Sequence, residues 1–207
     1  LDAYMSRGAL FGTLADLPGE LGDQFFVSNA EGGFTENFSE LGFEKRDCPA
    51  RQVAWTDFNN DGLLDLYVAC GRQVGGFWEY VPTALRKSRD EAPNMLYMQT
   101  AAGDFQEVAG DHGLDFAVGG TFLWFDVDLA ADADLLWASE NEVSLDRNTD
   151  SEFFREVLLP DSTTIQARKL AAADFDSDGD LDVYVAASVG SKLLINDDGT
   201  LRVENTN

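Results

Sequence analysis

Acidic and amide side chains occupy every second position of a short loop, residues 57–65, in the sequence VAWTDFNNDGLLDLYVAC. Numbering the loop from its first residue, positions 1, 3, 5 and 9 are Asp57, Asn59, Asp61 and Asp65. Like charges about 4 Å apart repel by roughly 4 kcal/mol at an effective dielectric constant of about 20. The residues on both sides of the loop are apolar and supply no positive charge. A bound cation is therefore the simplest way to offset this repulsion.

The same pattern recurs without a gap in residues 174–182, within LAAADFDSDGDLDVYVAAS. Oxygen ligands at positions 1, 3, 5 and 9, a backbone carbonyl at position 7 and a glycine at position 6 suit Ca²⁺, whereas Mg²⁺ demands a stricter octahedron. The sequence therefore predicts two calcium sites. The side-chain ligands are Asp57, Asn59, Asp61 and Asp65 in one loop and Asp174, Asp176, Asp178 and Asp182 in the other, with the carbonyls of Leu63 and Asp180.

A third loop, residues 126–134, keeps only part of the pattern. It retains Asp126, Asp128 and Asp134 but has Ala130 and Ala131 at positions 5 and 6. It therefore lacks one ligand and the glycine of the turn, although Asp132 is available to compensate. We leave a third calcium site open here, with a bare turn as the alternative. In the two complete loops the aspartates could instead cap turns through backbone hydrogen bonds.

The loops belong to a longer repeat. The opening LDAYMSRG overlays LDLYVACG at 64–71, which makes Asp2 the last position of a loop whose earlier residues lie outside this sequence. Residues 23–43 align without gaps with 94–114, and 191–206 form a shorter version. The repeating unit is strand, acidic loop, strand, connection, strand, glycine turn, strand. Four copies indicate a repeat protein, with approximate units 1–47, 48–115, 116–165 and 166–207.

The strands that follow the loops are apolar at successive positions, as in LDLYVAC, ADLLWAS and LDVYVAA. Both faces of each sheet must then be covered. The only plausible helix is a short one at 83–91, so sheets must stack on sheets. We therefore predict an all-β fold, a β-propeller segment of about four four-stranded blades with an incomplete first blade, open to being part of a larger propeller. A two-sheet sandwich is the alternative.

Composition excludes several function classes. The formal charge of −24 is too acidic for a nucleic-acid binder, and we expect cations or basic surfaces as partners. No apolar run approaches the ~20 residues of a membrane-spanning helix, so no membrane insertion is expected. The sequence does not begin with Met, and we interpret it as a segment of a longer polypeptide.

The loop sequences DFNNDGLLDLYV and DFDSDGDLDVYV, together with FFVSNAEGGFTE and LLINDDGTL, resemble the FG-GAP/VCBS repeats of integrin α-chain propellers and of many secreted bacterial proteins. The resemblance covers essentially the whole chain. It implies a calcium-stiffened β-propeller that lies outside the cytoplasm and serves adhesion or ligand binding. The third loop departs from the family pattern at Ala130 and Ala131.

The two cysteines, Cys48 and Cys70, fit an oxidising compartment. If residues 53–58 and 65–70 form a hairpin around the first loop, Cys70 lies near the base of that hairpin and Cys48 just beyond it. This placement favours a disulfide. The alternative is a buried thiol at Cys70 and a free Cys48 in a connection.

The sequence favours a non-enzymatic, calcium-binding module that is secreted, on the cell surface or periplasmic. Its partner is a protein or glycan, and self-association through blades or edges is open. The single histidine, His112, has no recognisable catalytic companion. The alternatives are a lectin or a calcium-dependent polysaccharide lyase. Both alternatives would use side chains of the insertion at 71–93. A lectin would use the aromatic Trp78 and Tyr80, and a lyase the basic Arg86, Lys87 and Arg89.

Overall fold

A computed structural model describes residues 3–5, 23–44, 48, 50–70, 93–116, 120–139, 141–159 and 165–204. These residues form strands, turns and loops, with no helix among them. None of the described structure could therefore cross a membrane as a helix. The helix expected at 83–91 lies outside the described residues, as do Asp2 and the aromatic and basic side chains of the insertion between 71 and 92.

The described strands form four antiparallel sheets, each built from strands that are consecutive in the chain. The first sheet has three strands: β1 (Ala3–Met5), β2 (Gln24–Ser28) and β3 (Phe34–Glu36). The second has four: β4 (Gln52–Thr56), β5 (Asp65–Ala69), β6 (Met95–Gln99) and β7 (Phe105–Glu107). The third contains β8 (Thr121–Phe125), β9 (Asp134–Ala138), β10 (Val143–Thr149) and β11 (Glu152–Leu159). The fourth contains β12 (Ala167–Ala173), β13 (Asp182–Ala187), β14 (Lys192–Asp197) and β15 (Thr200–Val203).

The outer hairpins of the first two sheets confirm the gapless sequence alignment, because β2 and β6, and likewise β3 and β7, occupy equivalent positions. The four strands expected in the third sheet are confirmed, although the sequence did not locate its outer hairpin, β10 and β11. Its turn lies at Asp150 and Ser151, which have φ angles of 54° and 69°. Left-handed backbone at two successive residues is the geometry of a tight hairpin turn, which usually contains glycine or asparagine.

Contacts divide the chain into two compact units, Leu1–Trp55 with Leu63–Gly119 and Thr56–Gly62 with Gly120–Asn207. The core of the first unit is aromatic: the ring of Phe43 stacks at 5.0 Å on Phe25 and at 4.5 Å on Phe105. The predicted disulfide is confirmed in the same core, where Cys48 and Cys70 are bonded with their Cα atoms 5.2 Å apart.

The core of the second unit is aliphatic and joins the third and fourth sheets. One continuous cluster contains residues of both: Val127, Leu136, Leu145, Val183, Val185, Leu194 and Leu201. Burial of such side chains contributes about 25 cal/mol per Å² of apolar surface, so this cluster holds the two sheets face to face.

The expectation that the inner strands are covered on both faces is confirmed for β5 and β9, in which every residue is buried. It is wrong for β13, where Tyr184 is exposed. The described residues leave that face of the fourth sheet more exposed than the equivalent face of the third sheet.

Candidate metal-binding loops

Each acidic loop connects the first two strands of a four-stranded sheet. Residues 57–65 are called the first loop, 126–134 the third loop and 174–182 the fourth loop. In the third and fourth sheets the loop is closed by paired strand ends, Phe125 with Asp134 and Ala173 with Asp182. The loop at 57–65 is divided between the two units after Gly62. Its residues are therefore described with the unit to which each belongs.

All three loops have the same backbone conformation at positions 4 and 6. Both positions have a positive φ: Asn60 and Gly62 (56° and 84°), Leu129 and Ala131 (59° and 71°), Ser177 and Gly179 (67° and 108°). The third loop thus makes the same turn with alanine at position 6, although the sequence pointed to loss of an easy turn there. A left-handed residue with a Cβ costs about 1–2 kcal/mol, so Ala131 is strained.

The aspartate at position 1 caps the turn. The N–H groups of Asp61 and Gly62 donate to the two carboxylate oxygens of Asp57, at 3.1 and 3.0 Å. In the third loop Ala130 and Ala131 donate to Asp126 in the same way, at 3.0 and 2.8 Å. The turn-capping role that the sequence left open is therefore present. A carboxylate has about four lone-pair sites, so these bonds leave capacity for a cation.

The aspartate at position 9 is buried and ties its loop to the third strand of the sheet. Asp134 accepts the N–H groups of Val127 and Asn148, both at 2.8 Å. In the fourth sheet the position-9 residue is Asp182, which accepts the backbone N–H groups of Phe175 and Asn196 at 2.7 and 2.8 Å. In the second sheet the position-9 residue is Asp65, which accepts the backbone N–H of Gln99 on β6 at 2.8 Å.

Burial raises the pKa of Asp134 to about 6, and the negative charges of Asp128 and Asp132 act in the same direction, while its two backbone hydrogen bonds lower it. A buried carboxylate beside two others is electrostatically costly unless a positive charge is near. The local charge balance of the loop therefore favours a cation.

Carboxylates converge in both loops of the second unit. One oxygen from each of Asp126, Asp128 and Asp132 lies within 4.8 Å of the others, and the same holds for Asp174, Asp176 and Asp182. In the third loop the group contains Asp132 where the sequence pattern had pointed to Asp134. Each group could direct three oxygens at one ion.

Two buried oxygens at position 7 have no hydrogen-bond partner among the described residues: Oδ1 of Asp132 and Oδ1 of Asp180. The whole of Asp180 is buried, and its other oxygen accepts the N–H of Asp198 at 3.1 Å. An unpaired buried carboxylate oxygen is unfavourable, and a hard cation would satisfy it. The donor sets of these loops therefore fit calcium. Sequence reasoning had assigned only the carbonyl of Asp180, because alternating aspartates do not show which side chain turns inward.

Protonation in the fourth loop reflects the same crowding. When Asp180 is protonated it shares its proton with Asp178, and this hydrogen bond raises the pKa of Asp180 and lowers that of Asp178; the ionised Asp180 has no donor at Oδ1 among the described residues. Partial desolvation, followed by the charges of Asp178 and Asp182, raises the pKa of Asp176. Bound calcium would offset the same repulsion by supplying positive charge.

Arg147 distinguishes the third loop from the fourth. Its guanidinium lies 3.7 Å from the Asp128 carboxylate and 3.4 Å from that of Glu156. The equivalent residue of the fourth sheet is Ile195, which precedes Asn196 as Arg147 precedes Asn148. A fixed positive charge beside Asp128 competes with a bound cation, so the third loop should hold calcium more weakly.

Residues 57–62 of the first loop belong to the second unit. Two of the predicted ligands, Asn59 and Asp61, contact each other there. The side-chain amide of Asn59 donates to Asp61 Oδ2 at 3.1 Å, and Asn59 Oδ1 accepts the N–H of Asp61 at 3.2 Å. Of the other three predicted ligands, Asp57 belongs to the same unit, whereas Leu63 and Asp65 belong to the first unit.

A separate cleft of about 370 Å³ lies in the first unit. Its lining is mainly apolar and includes the side chains of Phe25, Trp55, Leu64, Phe105 and Gln99. Trp55 is partly exposed, and its ring centroid lies 6.0 Å from that of Phe25 and 6.1 Å from that of Phe105. An accessible indole held by two other rings is a rigid apolar platform.

Comparison with known proteins agrees with the sequence resemblance. Residues 126–185, which include the whole of the third and fourth acidic loops, match the family model of the FG-GAP-like repeat. No curated protein matches the sequence. The FG-GAP resemblance drawn from the loop motifs is therefore confirmed for this stretch.

Among solved structures, the chain is similar to a lectin from Agrocybe aegerita that was solved to explain its specific recognition of non-reducing terminal N-acetylglucosamine. The sequences are 16% identical and the TM-score is 0.50 over 88% of this chain, which spans 46% of the lectin chain. Together with the four consecutive antiparallel sheets, this similarity confirms the predicted fold class, a β-propeller segment with an incomplete first blade.

Proposed function

We propose that this chain is a calcium-binding, non-enzymatic propeller module that works outside the cytoplasm in adhesion, ligand binding or surface structure. The observation that carries the proposal is the unpartnered buried oxygen at position 7, found in two loops in each of which three carboxylates converge within 4.8 Å. The FG-GAP-like repeat supports it, and the disulfide between Cys48 and Cys70 agrees with an oxidising compartment.

Calcium would act structurally in this module. When bound, it supplies the positive charge that the crowded carboxylates lack. In the fourth loop Asp174, Asp176 and Asp182, with Asp180 behind them, would hold it; in the third, Asp126, Asp128 and Asp132 would do so. In the first loop the proposed ligands remain Asp57, Asn59, Asp61, Asp65 and the Leu63 carbonyl, by the identity of the pattern.

Removal of calcium tests the proposal. An ion that binds only the folded state at 100 times its dissociation constant stabilises it by about 2.7 kcal/mol per site. Thermal melting followed by circular dichroism should therefore shift to lower temperature when EGTA replaces excess Ca²⁺. Mg²⁺ in place of Ca²⁺ serves as the control for ionic strength. Equal melting temperatures in calcium and EGTA would exclude the proposal.

Calorimetric titration assigns the ion to the loops. Asp176→Asn should weaken or remove one site, because it withdraws one of the three converging carboxylates at constant size. Asp111→Asn, an equal change of charge at an exposed turn outside the loops, should leave the titration unchanged. The double change Ala130→Asp with Ala131→Gly should create or strengthen a site in the third loop. If Asp176→Asn and Asp111→Asn weaken calcium binding equally, calcium is attracted to the acidic surface as a whole and is not bound at the loops.

Glycan binding is a second candidate function, favoured by the partly exposed Trp55 in the cleft of the first unit. Sugar rings pack on aromatic faces, and Gln99 adds a polar group to the lining. The Agrocybe aegerita lectin makes N-acetylglucosamine the first probe. Quenching of tryptophan fluorescence by this sugar should be lost in Trp55→Ala and kept in Trp124→Phe. Trp78→Ala tests in the same assay whether the insertion contributes.

A further inference from the structure

The third loop has a positive charge beside it that belongs to the protein. The guanidinium of Arg147, on β10, lies 3.7 Å from the Asp128 carboxylate at loop position 3 and 3.4 Å from the Glu156 carboxylate on β11. It also donates a hydrogen bond to the backbone carbonyl of Gly199 in the fourth sheet. A guanidinium has five N–H donors in a fixed plane, so one group can bind all three oxygens. Its side chain is 26% exposed, so solvent screens these contacts only in part.

The same arginine lies where the third loop meets the fourth sheet. The turn between β14 and β15 packs against the loop, because a Cβ added to Gly199 would lie 2.7 Å from the Cβ of Asp128 and 3.9 Å from Nη1 of Arg147. In addition, the side-chain amide of Asn196 donates to the carbonyl of Val127 at 2.7 Å. The charge of Arg147 therefore acts both on the loop and on its junction with the fourth sheet.

A comparable junction joins the first loop to the third sheet. The side-chain amide of Asn148 donates to the carbonyl of Phe58 at 2.7 Å, which is the contact that Asn196 makes with Val127. Position 3 of the first loop is Asn59, which carries no charge. The amide contact is thus common to both junctions, whereas the guanidinium accompanies a charged residue at position 3.

The residues equivalent to Arg147 in the neighbouring sheets are neutral. Each precedes the third-strand residue whose backbone N–H binds the position-9 aspartate: Met98 before Gln99, Arg147 before Asn148 and Ile195 before Asn196. The arginine therefore occurs in the sheet whose loop lacks the position-5 carboxylate and the position-6 glycine. Loss of a calcium ligand and gain of a fixed cation fall on the same loop.

We infer, on the basis of the proposed calcium function, that Arg147 serves as a built-in cation of the third loop. It neutralises Asp128 and Glu156, so this loop and its junction with the fourth sheet stay folded without calcium. The fourth loop, with Ile195 at the equivalent position, depends on the ion. The guanidinium also lowers the affinity of the third loop for calcium by like-charge repulsion. Arg147 is therefore a residue that determines which loops depend on calcium.

The third loop keeps most of a calcium site in spite of this arginine. Its carboxylates Asp126, Asp128 and Asp132 converge within 4.8 Å. Oδ1 of Asp132 has no hydrogen-bond partner among the described residues, so the guanidinium does not satisfy it. Without Arg147 the loop would hold carboxylates that repel one another and that an ion can satisfy. Such a loop should be less stable without calcium and should bind calcium more tightly.

Arg147→Met tests this role, because it installs the residue of the second sheet and removes the charge while keeping an unbranched side chain. In EGTA the variant should melt several degrees below the wild type, and excess Ca²⁺ should restore most of the loss. Calorimetric titration should show one site whose affinity for calcium rises about tenfold. Arg202→Met, an equal loss of charge at an exposed residue paired with Asp197, is the control and should leave the calcium titration unchanged.

Two further variants assign the gained site to the third loop. Asp128→Asn added to Arg147→Met should abolish the gain in calcium affinity. It should also recover part of the stability lost in EGTA, because one of the repelling carboxylates is then neutral. Arg147→Lys keeps the charge with fewer donors and should bind calcium as weakly as the wild type.

The results that contradict the inference are distinct from those that contradict the proposed function. If Arg147→Met loses the same stability in EGTA and in calcium, with unchanged calcium affinity, the inference is overturned, since Arg147 would act only through packing and its bond to Gly199. Calcium binding that Asp176→Asn weakens would in that case leave the proposed function intact. Absence of calcium binding by both the wild type and Arg147→Met would reject the proposed function together with this inference.

Discussion

The third and fourth acidic loops have left-handed residues at the same two positions and different side chains. Positions 4 and 6 are left-handed in both, although position 6 is Ala131 in one and Gly179 in the other. What they share is the buried position-9 aspartate that accepts two backbone N–H groups, one from its own loop and one from the third strand. The hydrogen bonds of the position-9 aspartate therefore set the loop geometry, while the residues at positions 3, 5 and 7 set its fitness for a cation.

The sheets that carry these loops differ in a second respect, because the third is covered on both faces and the fourth on one. The difference is visible in β9 and β13, which are equivalent strands with similar apolar sequences. An apolar residue in a repeat protein thus contributes to stability only where a neighbouring repeat covers it.

The largest expected effect comes from truncating the same strand position in the two sheets. Leu136→Ala removes a fully buried side chain and should lower the free energy of unfolding by about 2–5 kcal/mol. Tyr184→Ala, at the matching position of the open face, should change it by no more than about 1 kcal/mol. Urea unfolding of both variants measures the difference. Equal losses would show that the two faces are equally packed.

A smaller effect is expected from Asn196→Ala, which breaks the bond between the fourth sheet and the third loop. Its side chain donates to Val127 O at 2.7 Å and to Leu181 O at 3.3 Å, and the variant leaves these carbonyls without that donor. The cost of such buried groups is about 1–3 kcal/mol. Asn141→Ala, at an exposed position, is the control and should change the unfolding free energy by less than about 0.5 kcal/mol. A neutral Asn196→Ala would mean that apolar packing alone places the two sheets.

Much of this organisation could be predicted from sequence because it repeats. The alignment of 23–43 with 94–114 located the outer hairpins of the first two sheets, and the apolar strands predicted stacking sheets. The hairpin of β10 and β11 was expected from the four-stranded repeat but could not be located, since its turn at Asp150 and Ser151 has no glycine and its sequence matches no other copy. The roles of Asn148 and Asn196 were missed for another reason: a single asparagine in a strand does not reveal which neighbouring carbonyl it reaches.

The smallest effect concerns the strain at position 6 and separates the backbone of the loop from its ligands. Ala131 has a φ of 71°, and Gly179 has a φ of 108° with no atom within 4 Å of a Cβ added there. Ala131→Gly should therefore stabilise the protein by about 0.5–1 kcal/mol, the relief of strain being partly offset by the greater entropy of glycine in the unfolded chain. Gly179→Ala should destabilise it by about 1–2 kcal/mol through strain alone. Both are measured by urea unfolding in EGTA, so that calcium binding does not contribute. If Ala131→Gly lowers stability, the third loop does not hold a left-handed residue at position 6, and its likeness to the fourth loop ends at the hydrogen bonds of Asp134.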